Sequence, residues 1–396
     1  MKTVMILGAS RYYVRSIISA KELGYKVLAT DKNAEAEGFQ YSDYHEAVDI
    51  TDVEGSINVA KKYKIDGVVA LNDFGVQTAA AIAEELNLVG ISSRVAKCVT
   101  NKAWMRKRWE EAGIPSPRFR IVKNLEEAYD ATSELKTWPL ILKPADSRGG
   151  ASRGVTTINN KDGLRQAFEF AQSFYKDKTV IIEEFLYGIE HSMETLTYKG
   201  QTYILAVSDK AKTPMPYRVD KSVIYPTELS GEKFKELQKV AKMAVQALGI
   251  NVGAAHVELC TTKDGPKLFE VGARCGGGGT PDPIVPFISG VEMLKEIVRI
   301  KVGEKPENLK PLYTKGCVYR FITPRPGVVK KIEGIENIND LDGILDFGLF
   351  INEGDEIKKV RTGGDRSGFI IAGADTREAA IELADKAESK IKIEYK

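Results

Sequence analysis

The segment from Thr3 to Asp73 constrains the fold most, because strand-like and helix-like stretches alternate through it. Thr3 to Leu7 is a continuous apolar run that stops at Gly8-Ala9-Ser10. A helical stretch over roughly Val14 to Leu23 breaks at Gly24-Tyr25. Lys26 to Thr30 is a second strand closed by Asp31, and a third unit ends in Gly67-Val68-Val69-Ala70-Leu71-Asn72-Asp73. Apolar strands separated by helices build a parallel sheet covered on both faces. The turn Gly8-Ala9-Ser10-Arg11, with Asp31 downstream, resembles the start of a dinucleotide site, yet the G-x-G-x-x-G spacing is absent. A plain βα turn at a helix N-terminus is therefore the better reading, and it can still hold a carboxylate or phosphate.

Beyond this region the pattern changes. A basic helical stretch between Ala96 and Gly113 contains Asn101-Lys102-Ala103-Trp104-Met105-Arg106-Lys107 and is closed by Ile114-Pro115-Ser116-Pro117. Trp138 to Pro144, Val155 to Ile158 and Val180 to Phe185 read as strands, with a Gly/Ser/Arg loop from Asp146 to Gly154. Met193 to Tyr198 and Thr202 to Val207 read as a hairpin around Lys199-Gly200. A polar, proline-bearing segment spans Ser208 to Ser230, and a helix covers about Glu232 to Leu248. After Lys310 come short strands with many glycines and a last helix from about Thr376 to Ile391. We expect three units: a βαβ domain over 1–100, an α+β domain over 101–310 with a mobile lobe near 115–187, and a small α+β unit over 311–396.

With 396 residues, 43% hydrophobic and 28% charged, the chain has the composition of a globular protein. Its net charge of +2 gives no nucleic-acid or membrane signal. Cys98, Cys260, Cys275 and Cys317 are scattered without metal spacing, which fits reduced thiols. No apolar run is long enough to span a bilayer, and Met1-Lys2-Thr3 leads directly into a strand without a signal-peptide layout. We expect a cytoplasmic protein.

The chemistry concentrates in two runs joined by Lys263-Asp264-Gly265-Pro266. One is His256-Val257-Glu258-Leu259; the other is Leu268-Phe269-Glu270-Val271-Gly272-Ala273-Arg274-Cys275, followed by Gly276 to Gly279. A turn between two such runs predicts a hairpin, with Glu258 and Glu270 side by side. Two carboxylates on neighbouring strands suit Mg²⁺, which completes its shell with phosphate and water. Arg274 adds a cation, and the glycines let a ligand touch main chain.

Lys143 in Ile141-Leu142-Lys143-Pro144 ends an apolar strand beside the loop Ser147-Arg148-Gly149-Gly150-Ala151-Ser152-Arg153-Gly154. A strand-borne lysine next to glycines that free backbone N–H groups points to nucleotide phosphates rather than to snorkelling. No Gly-Lys-Ser/Thr follows, so this is not a P-loop. Glu183 to Glu190 would offer backbone donors and acceptors to a purine edge and an acid to ribose; from local sequence alone a charged edge strand is the better reading.

In this order, these pieces resemble the ATP-grasp enzymes from the opening βαβ domain to about residue 300. The tail resembles the lid domain of the branch holding L-amino acid ligases and biotin carboxylase. The resemblance implies a parallel-sheet pre-ATP-grasp domain, a two-lobed nucleotide-binding region and a small α+β lid. It implies ATP with Mg²⁺ or Mn²⁺ as cofactors. Lys102 and Lys143 would contact phosphates, with Ser147, Gly149, Gly150 and Ser152 in the loop closing over them. Glu183, Phe185 and Leu186 would line the adenine edge, mostly through backbone, and Glu190 would bind ribose. Glu258 and Glu270 would hold the metal. Arg274 would steady the transferred phosphoryl group and the acyl intermediate, acting with Lys143. Gly272 stands where many members carry a metal-binding Asn, although the L-amino acid ligase branch tends to have a small residue there.

His256 shares a strand face with Glu258 and resembles the His-x-Glu of L-amino acid ligases, which implies a substrate role beside Gly276, Gly277 and Gly278. A core histidine is the even alternative. His191 is expected to be half-exposed, and Arg325 and Arg366 to make surface salt bridges. Cys275 is not assigned as a nucleophile, since no base accompanies it. The implied activity is ADP-forming ligation of a small carboxylate to an amine, both small molecules, with a homodimer left open. Rivals are a purine-biosynthesis-type ligase, a biotin carboxylase- or carbamoyl phosphate synthase-like enzyme, and a nucleotide-binding regulatory protein.

Overall fold

In a computed structural model of the chain, the described residues are 1–146, 153–175, 177–215, 217–338 and 340–396. The alternating N-terminal segment forms β1 (Thr3–Leu7), β2 (Lys26–Asp31), β3 (Tyr44–Ala47) and β4 (Gly67–Ala70), a parallel sheet in the order β3-β2-β1-β4. Every side chain of β1 is buried, as a strand covered on both faces requires. Helix Asp73–Glu85 follows β4 directly and is capped by the Asn72 side chain, which accepts from Gly75 N. Asp31 closes the first βα turn itself: its carboxylate accepts from Ala9 N at 3.0 Å and from Asn33 N at 3.0 Å.

The next four strands are β5 (Phe119–Val122), β6 (Leu140–Pro144), β7 (Thr156–Ile158) and β8 (Val180–Glu184). They make an antiparallel sheet in the order β5-β8-β6-β7. Helices Leu125–Leu135 and Leu164–Gln172 bury Ala128, Leu135, Leu164 and Phe168 against it. Strand β8 is paired on both sides, so the stretch ending at Glu184 is no edge strand.

The largest sheet joins β9 (Ile189–Tyr198), β10 (Gln201–Lys212), β11 (Asp220–Tyr225), β12 (Gly253–Thr262), β13 (Gly265–Gly272) and β14 (Gly316–Ile322). After β15 (Gly327–Glu333) come β16 (Ile344–Leu349), β17 (Glu356–Ile357), β18 (Gly368–Ala374) and β19 (Lys392–Tyr395). The order in the large sheet is β13-β12-β9-β10-β11-β14-β18-β16, so the strands after residue 310 extend the sheet that carries the hairpin. The small sheet β17-β15-β19 and helix Arg377–Lys390 complete that end.

Alternation along β12 decides what faces where. Ala255, Val257 and Leu259 are buried with helices Lys102–Glu111 and Gly231–Ala247, which leaves His256 and Glu258 on the opposite face. Among the described residues, no helix is long and apolar enough to cross a membrane.

Candidate active site

The hairpin brings its acids together through a bulge: Leu259 pairs with Leu268, and a one-residue shift between Leu259 and Glu258 sets the two acids opposite each other. Glu258 is the register partner of Glu270, and His256 is the partner of Gly272. Both acids line a cavity of about 530 Å³ between the two antiparallel sheets and the C-terminal strands. Each acid already faces a cation: Lys102 Nζ lies 2.7 Å from Glu270 Oε1, and Lys210 pairs with Glu258. Burial favours the neutral acid at Glu258, but Lys210 and His256 overcome it and hold the carboxyl well below its ordinary range.

Lysines 210 and 212 alternate with Ala211 on β10, and both reach Asp220 on β11, Lys212 at 2.8 Å and Lys210 at 3.7 Å. Burial would raise the Asp220 pKa; the two ammonium groups instead lower it to about 2. Lys212 and Arg218 each lie 2.8 Å from Glu190, and the Arg218 guanidinium stands 5.4 Å over the Phe185 ring. Phe185 and Leu186 line the same end of the cavity. The Phe185 N–H donates to Pro139 O at 3.3 Å, so that donor is committed inside the protein.

Lys143 and Glu183 also line the cavity, but the Glu183 side chain is 1% exposed and pairs with Lys143. Arg106 closes the set, with Nε and Nη2 at 3.2 and 3.0 Å from Glu183 Oε2. Burial pushes toward the neutral acid, and the two cations hold the Glu183 carboxyl below its ordinary value. Glu183 is thus a buried anchor for Lys143, not an acid exposed on an edge.

Arg274 leaves β13 and returns to the N-terminal unit. Its Nε and Nη2 bond the Asp73 carboxylate at 3.0–3.2 Å, and Nη1 donates to Cys275 O at 3.0 Å. A Cβ built at Gly272 would stand 3.2 Å from both Arg274 Nε and Asp73 Oδ1. The guanidinium therefore occupies the space into which a longer side chain would grow. Across the register, His256 Nδ1 contacts Glu194 and Nε2 lies 3.4 Å from Glu258 Oε1. Burial alone would lower the imidazole; the Glu194 carboxylate, with Glu258, raises its pKa to about 9. The second Glu194 oxygen accepts from Gly276 N at 2.8 Å, which ties the glycine run to the histidine.

Gly277 and Gly278 line the cavity beside Arg274. They also border, with Gly276, a second cavity of about 660 Å³ over the carboxyl ends of the parallel strands, near Gly8, Ser10 and Asn72. Ser147, Gly149, Gly150 and Ser152 lie outside the described residues. Burial pushes the Cys275 thiol up to about 12, which removes it as a ready nucleophile.

Three expectations for side chains away from the hairpin are corrected. His191 is fully buried, not half-exposed, between Asp209 at 2.9 Å and Thr261 at 3.0 Å. Arg325 stacks over the Tyr395 ring at 3.8 Å and forms no salt bridge among the described residues. Arg366 does form an ion pair, with Asp220 Oδ2 at 3.8 Å, but in the cavity wall over the Phe321 ring at 3.6 Å and not on the surface. Asp73, Glu194, Arg106, Lys210, Lys212 and Asp220 complete the ionic framework without a motif of their own. The period-two Lys210-Ala211-Lys212 pattern was the one local sign that two cations share a strand face.

The sequence pattern of the ATP-grasp domain family matches residues 136–282, and that of L-amino acid ligase C-terminal domain 2 matches residues 320–396. A formate-dependent phosphoribosylglycinamide formyltransferase of Prochlorococcus marinus is 27% identical over 402 residues, 99% of this chain and 98% of that protein. The alanine–anticapsin ligase of Bacillus subtilis is 27% identical over 336 residues, 77% of this chain and 69% of that protein. Among solved structures, L-amino acid ligase from Bacillus licheniformis superposes with a TM-score of 0.86 at 22% identity, covering 100% of this chain and 99% of that one. Phosphoribosylglycinamide synthetase from Anaerococcus prevotii gives a TM-score of 0.79 at 24% identity, covering 100% of both chains. At these identities the structural likeness establishes the fold.

Proposed function

We propose that this chain, which carries an ATP-grasp domain and an L-amino acid ligase C-terminal domain, is an ADP-forming carboxylate–amine ligase working through an acyl phosphate. The observation that carries this reading is the meeting of Glu258 and Glu270 in register, with Lys102, Lys143 and Arg274 on the same cavity. The two facing carboxylates are oxygen donors now balanced by lysine ammonium groups, a set that fits Mg²⁺ or Mn²⁺ together with nucleotide phosphates. Such a metal supplies charge neutralisation and a template for the phosphate oxygens.

The chain's own residues do the rest. Phe185 and Leu186 take the base, and Glu190 takes ribose hydroxyls once Lys212 and Arg218 share it. Lys143, anchored by Glu183, and Lys102 take phosphates. A substrate carboxylate oxygen then attacks the γ-phosphorus, the bond to the bridging oxygen breaks, and ADP leaves. An amine lone pair next forms the C–N bond, the acyl C–O bond breaks, and phosphate departs with the nitrogen's proton. Arg274 is held by Asp73 where charge develops on the phosphoryl and acyl oxygens, so it acts by electrostatic preorganisation. His256 and the glycines border the substrate.

The test is ADP release measured beside amide formation by mass spectrometry, across acids paired with amines. Equal yields of ADP and amide are expected. ADP formation driven by bicarbonate alone, or no amide with any pair, would overturn the reading. A second reading, ATP-dependent ligation of formate to phosphoribosylglycinamide, is favoured by the near full-length match to the formyltransferase. A phosphoribosylglycinamide arm in the same assay separates the two.

A further inference from the structure

The second cavity takes no part in the nucleotide chemistry. It opens over the carboxyl ends of the parallel sheet, whose order β3-β2-β1-β4 reverses direction between β1 and β4. Such a switch point is where open α/β sheets take ligands. At about 660 Å³ the cavity is no smaller than the one of about 530 Å³ assigned to the nucleotide.

The two cavities meet along one strip. Tyr12, Gly277 and Gly278 line both, and the two glycines follow Arg274 closely in the chain. Their neighbours in the glycine run explain part of it. A Cβ on Gly276 would strike the Glu194 carboxylate, and one on Gly278 would strike the Tyr319 hydroxyl. Gly277 is different. A Cβ there would meet no atom within 4 Å, and its φ lies outside the left-handed region. Neither packing nor backbone strain requires a glycine at this position. What its missing side chain leaves open is the passage between the two cavities.

The charges of the second cavity give a ligand its direction. Asp31 accepts from Ala9 N and Asn33 N, both at 3.0 Å, and Asp49 accepts from Thr51 N at 2.9 Å and Thr51 Oγ1 at 2.8 Å. All four donors are neutral, and neither carboxylate has an ion-pair partner among the described residues. The acids of the first cavity each face a lysine ammonium instead. Lys32, the one cation among the described lining residues of the second cavity, is exposed to solvent. This lining suits a distal ammonium. An amine substrate that also carries a carboxylate would turn its anion to this side, whereas an acid activated beside Arg274 would turn its amino end here. In a single α-amino acid the ammonium stays next to the reacting carboxylate, so an ammonium reaching this cavity belongs to a longer chain.

We propose that the second cavity holds the body of the activated acid, and that this acid is an elongated one with a distal ammonium, such as a short peptide activated at its C-terminal carboxylate. The peptide passes over the bare main chain at Gly277, and Asp31 and Asp49 receive its N-terminal ammonium. The assignment rests on the ligase reading of the neighbouring cavity.

The experiment is acyl-phosphate trapping by the full chain with ATP, Mg²⁺ and hydroxylamine. Hydroxylamine nitrogen displaces phosphate from an acyl phosphate and leaves a hydroxamate, whatever the native amine is. The acids are L-alanine, tri-L-alanine and N-acetyl-tri-L-alanine. Tri-L-alanine is expected to show a kcat/KM about tenfold or more above either of the others, because each leaves the distal carboxylates unmet. Asp49→Asn still accepts from Thr51 but carries no charge, so it should reduce the preference for the free over the acetylated peptide. Gly277→Val narrows the passage at a position with room for a side chain, so it should reduce the preference for tri-L-alanine over L-alanine. Equal turnover of the free and acetylated peptides, or a preference unchanged in Asp49→Asn, would overturn the assignment. If L-alanine gives hydroxamate as well as tri-L-alanine does, the compartment falls and the ligase reading stands. If no acid gives hydroxamate, the ligase reading falls, and calorimetric titration of the two peptides decides the compartment. Tighter binding of the free peptide, lost in Asp49→Asn, would sustain it; equal or absent binding would overturn it.

Discussion

Asp73 and Arg274 are 201 positions apart in sequence, and their side chains meet through three hydrogen bonds of 3.0–3.2 Å. Asp73 opens a helix of the parallel-sheet unit, and Arg274 follows the last strand of the carboxylate hairpin. The N-terminal unit therefore fixes the direction of the cation on which the acyl-transfer reading depends. Both side chains are largely buried, so the pair is poorly screened by solvent.

This relationship yields a sharp test of Arg274. Arg274→Lys keeps the charge but loses the fork, so kcat should fall far more than the KM for ATP rises. Asp73→Asn removes the anchor and should lower kcat in the same sense, with a stability loss of about 1.5–3 kcal/mol for a charged hydrogen bond. The check is kcat per folded molecule beside the melting temperature. Normal kcat with reduced stability would make the pair purely structural.

Glu183 serves two buried cations at once, and removing it leaves both without a counter-charge. Glu183→Gln should cost about 3–5 kcal/mol of stability, the range for breaking a buried ion pair from one side. Lys143→Ala leaves Glu183 paired with Arg106, so the fold should persist while ATP binding weakens by about 1.5–3 kcal/mol. Urea unfolding and an ATP titration on the two variants measure both effects. An ATP affinity unaffected by Lys143→Ala would remove that lysine from the phosphate site.

The parts of this architecture that could be read in the sequence are those set by local periodicity. The parallel sheet followed from apolar runs separated by helices, and the hairpin from two strands around a tight turn. The turn alone would set Glu258 opposite Phe269; the pairing with Glu270 comes from a bulge between Glu258 and Leu259 that the turn does not announce. What stayed hidden is long-range. Nothing near Asp73 signals Arg274, and nothing near Arg366 signals Phe321. Arg366 read as a surface arginine because a cation stacked on a ring has no local signature. The proline-bearing stretch from Ser208 to Ser230 concealed β11 and with it Asp220, since β11 lies between its neighbour β10 and β14, and the β14 pairing is made almost one hundred positions away. His191 looked exposed beside Glu190, but β-alternation sends the two side chains to opposite faces.

The paired acids predict how the metal dependence should fail. Glu270→Gln retains shape and hydrogen bonding but removes one of two anionic oxygen donors. Turnover should be lost, and the rise in melting temperature given by ATP with Mg²⁺ should shrink, because stabilisation by a ligand scales with its affinity. Without nucleotide the melting temperature should fall, as Lys102 is largely buried and loses a charged partner. Wild-type turnover at limiting Mg²⁺ would remove Glu270 from the metal site.

The cluster of Lys210, Lys212 and Asp220 predicts the acid limit of the fold. Burial would raise the Asp220 pKa, but the two lysines bring it down to about 2 from an ordinary 3.8. A folded-state pKa below the unfolded value means that the unfolded chain binds the proton first as pH falls. The stabilisation is therefore complete above pH 3.8 and is lost as pH drops through about 2. The Glu258 carboxyl, also well depressed, adds a contribution of the same sign at its own acid limit. Asp220→Asn should lower stability at neutral pH, because Lys210 and Lys212 lose their shared anion. It should also flatten the decline on acidification, since asparagine has no proton to take up. Urea unfolding followed by circular dichroism between pH 5 and 2 compares the slopes. A decline as steep in Asp220→Asn as in the wild type would mean that the acid sensitivity lies in other carboxylates.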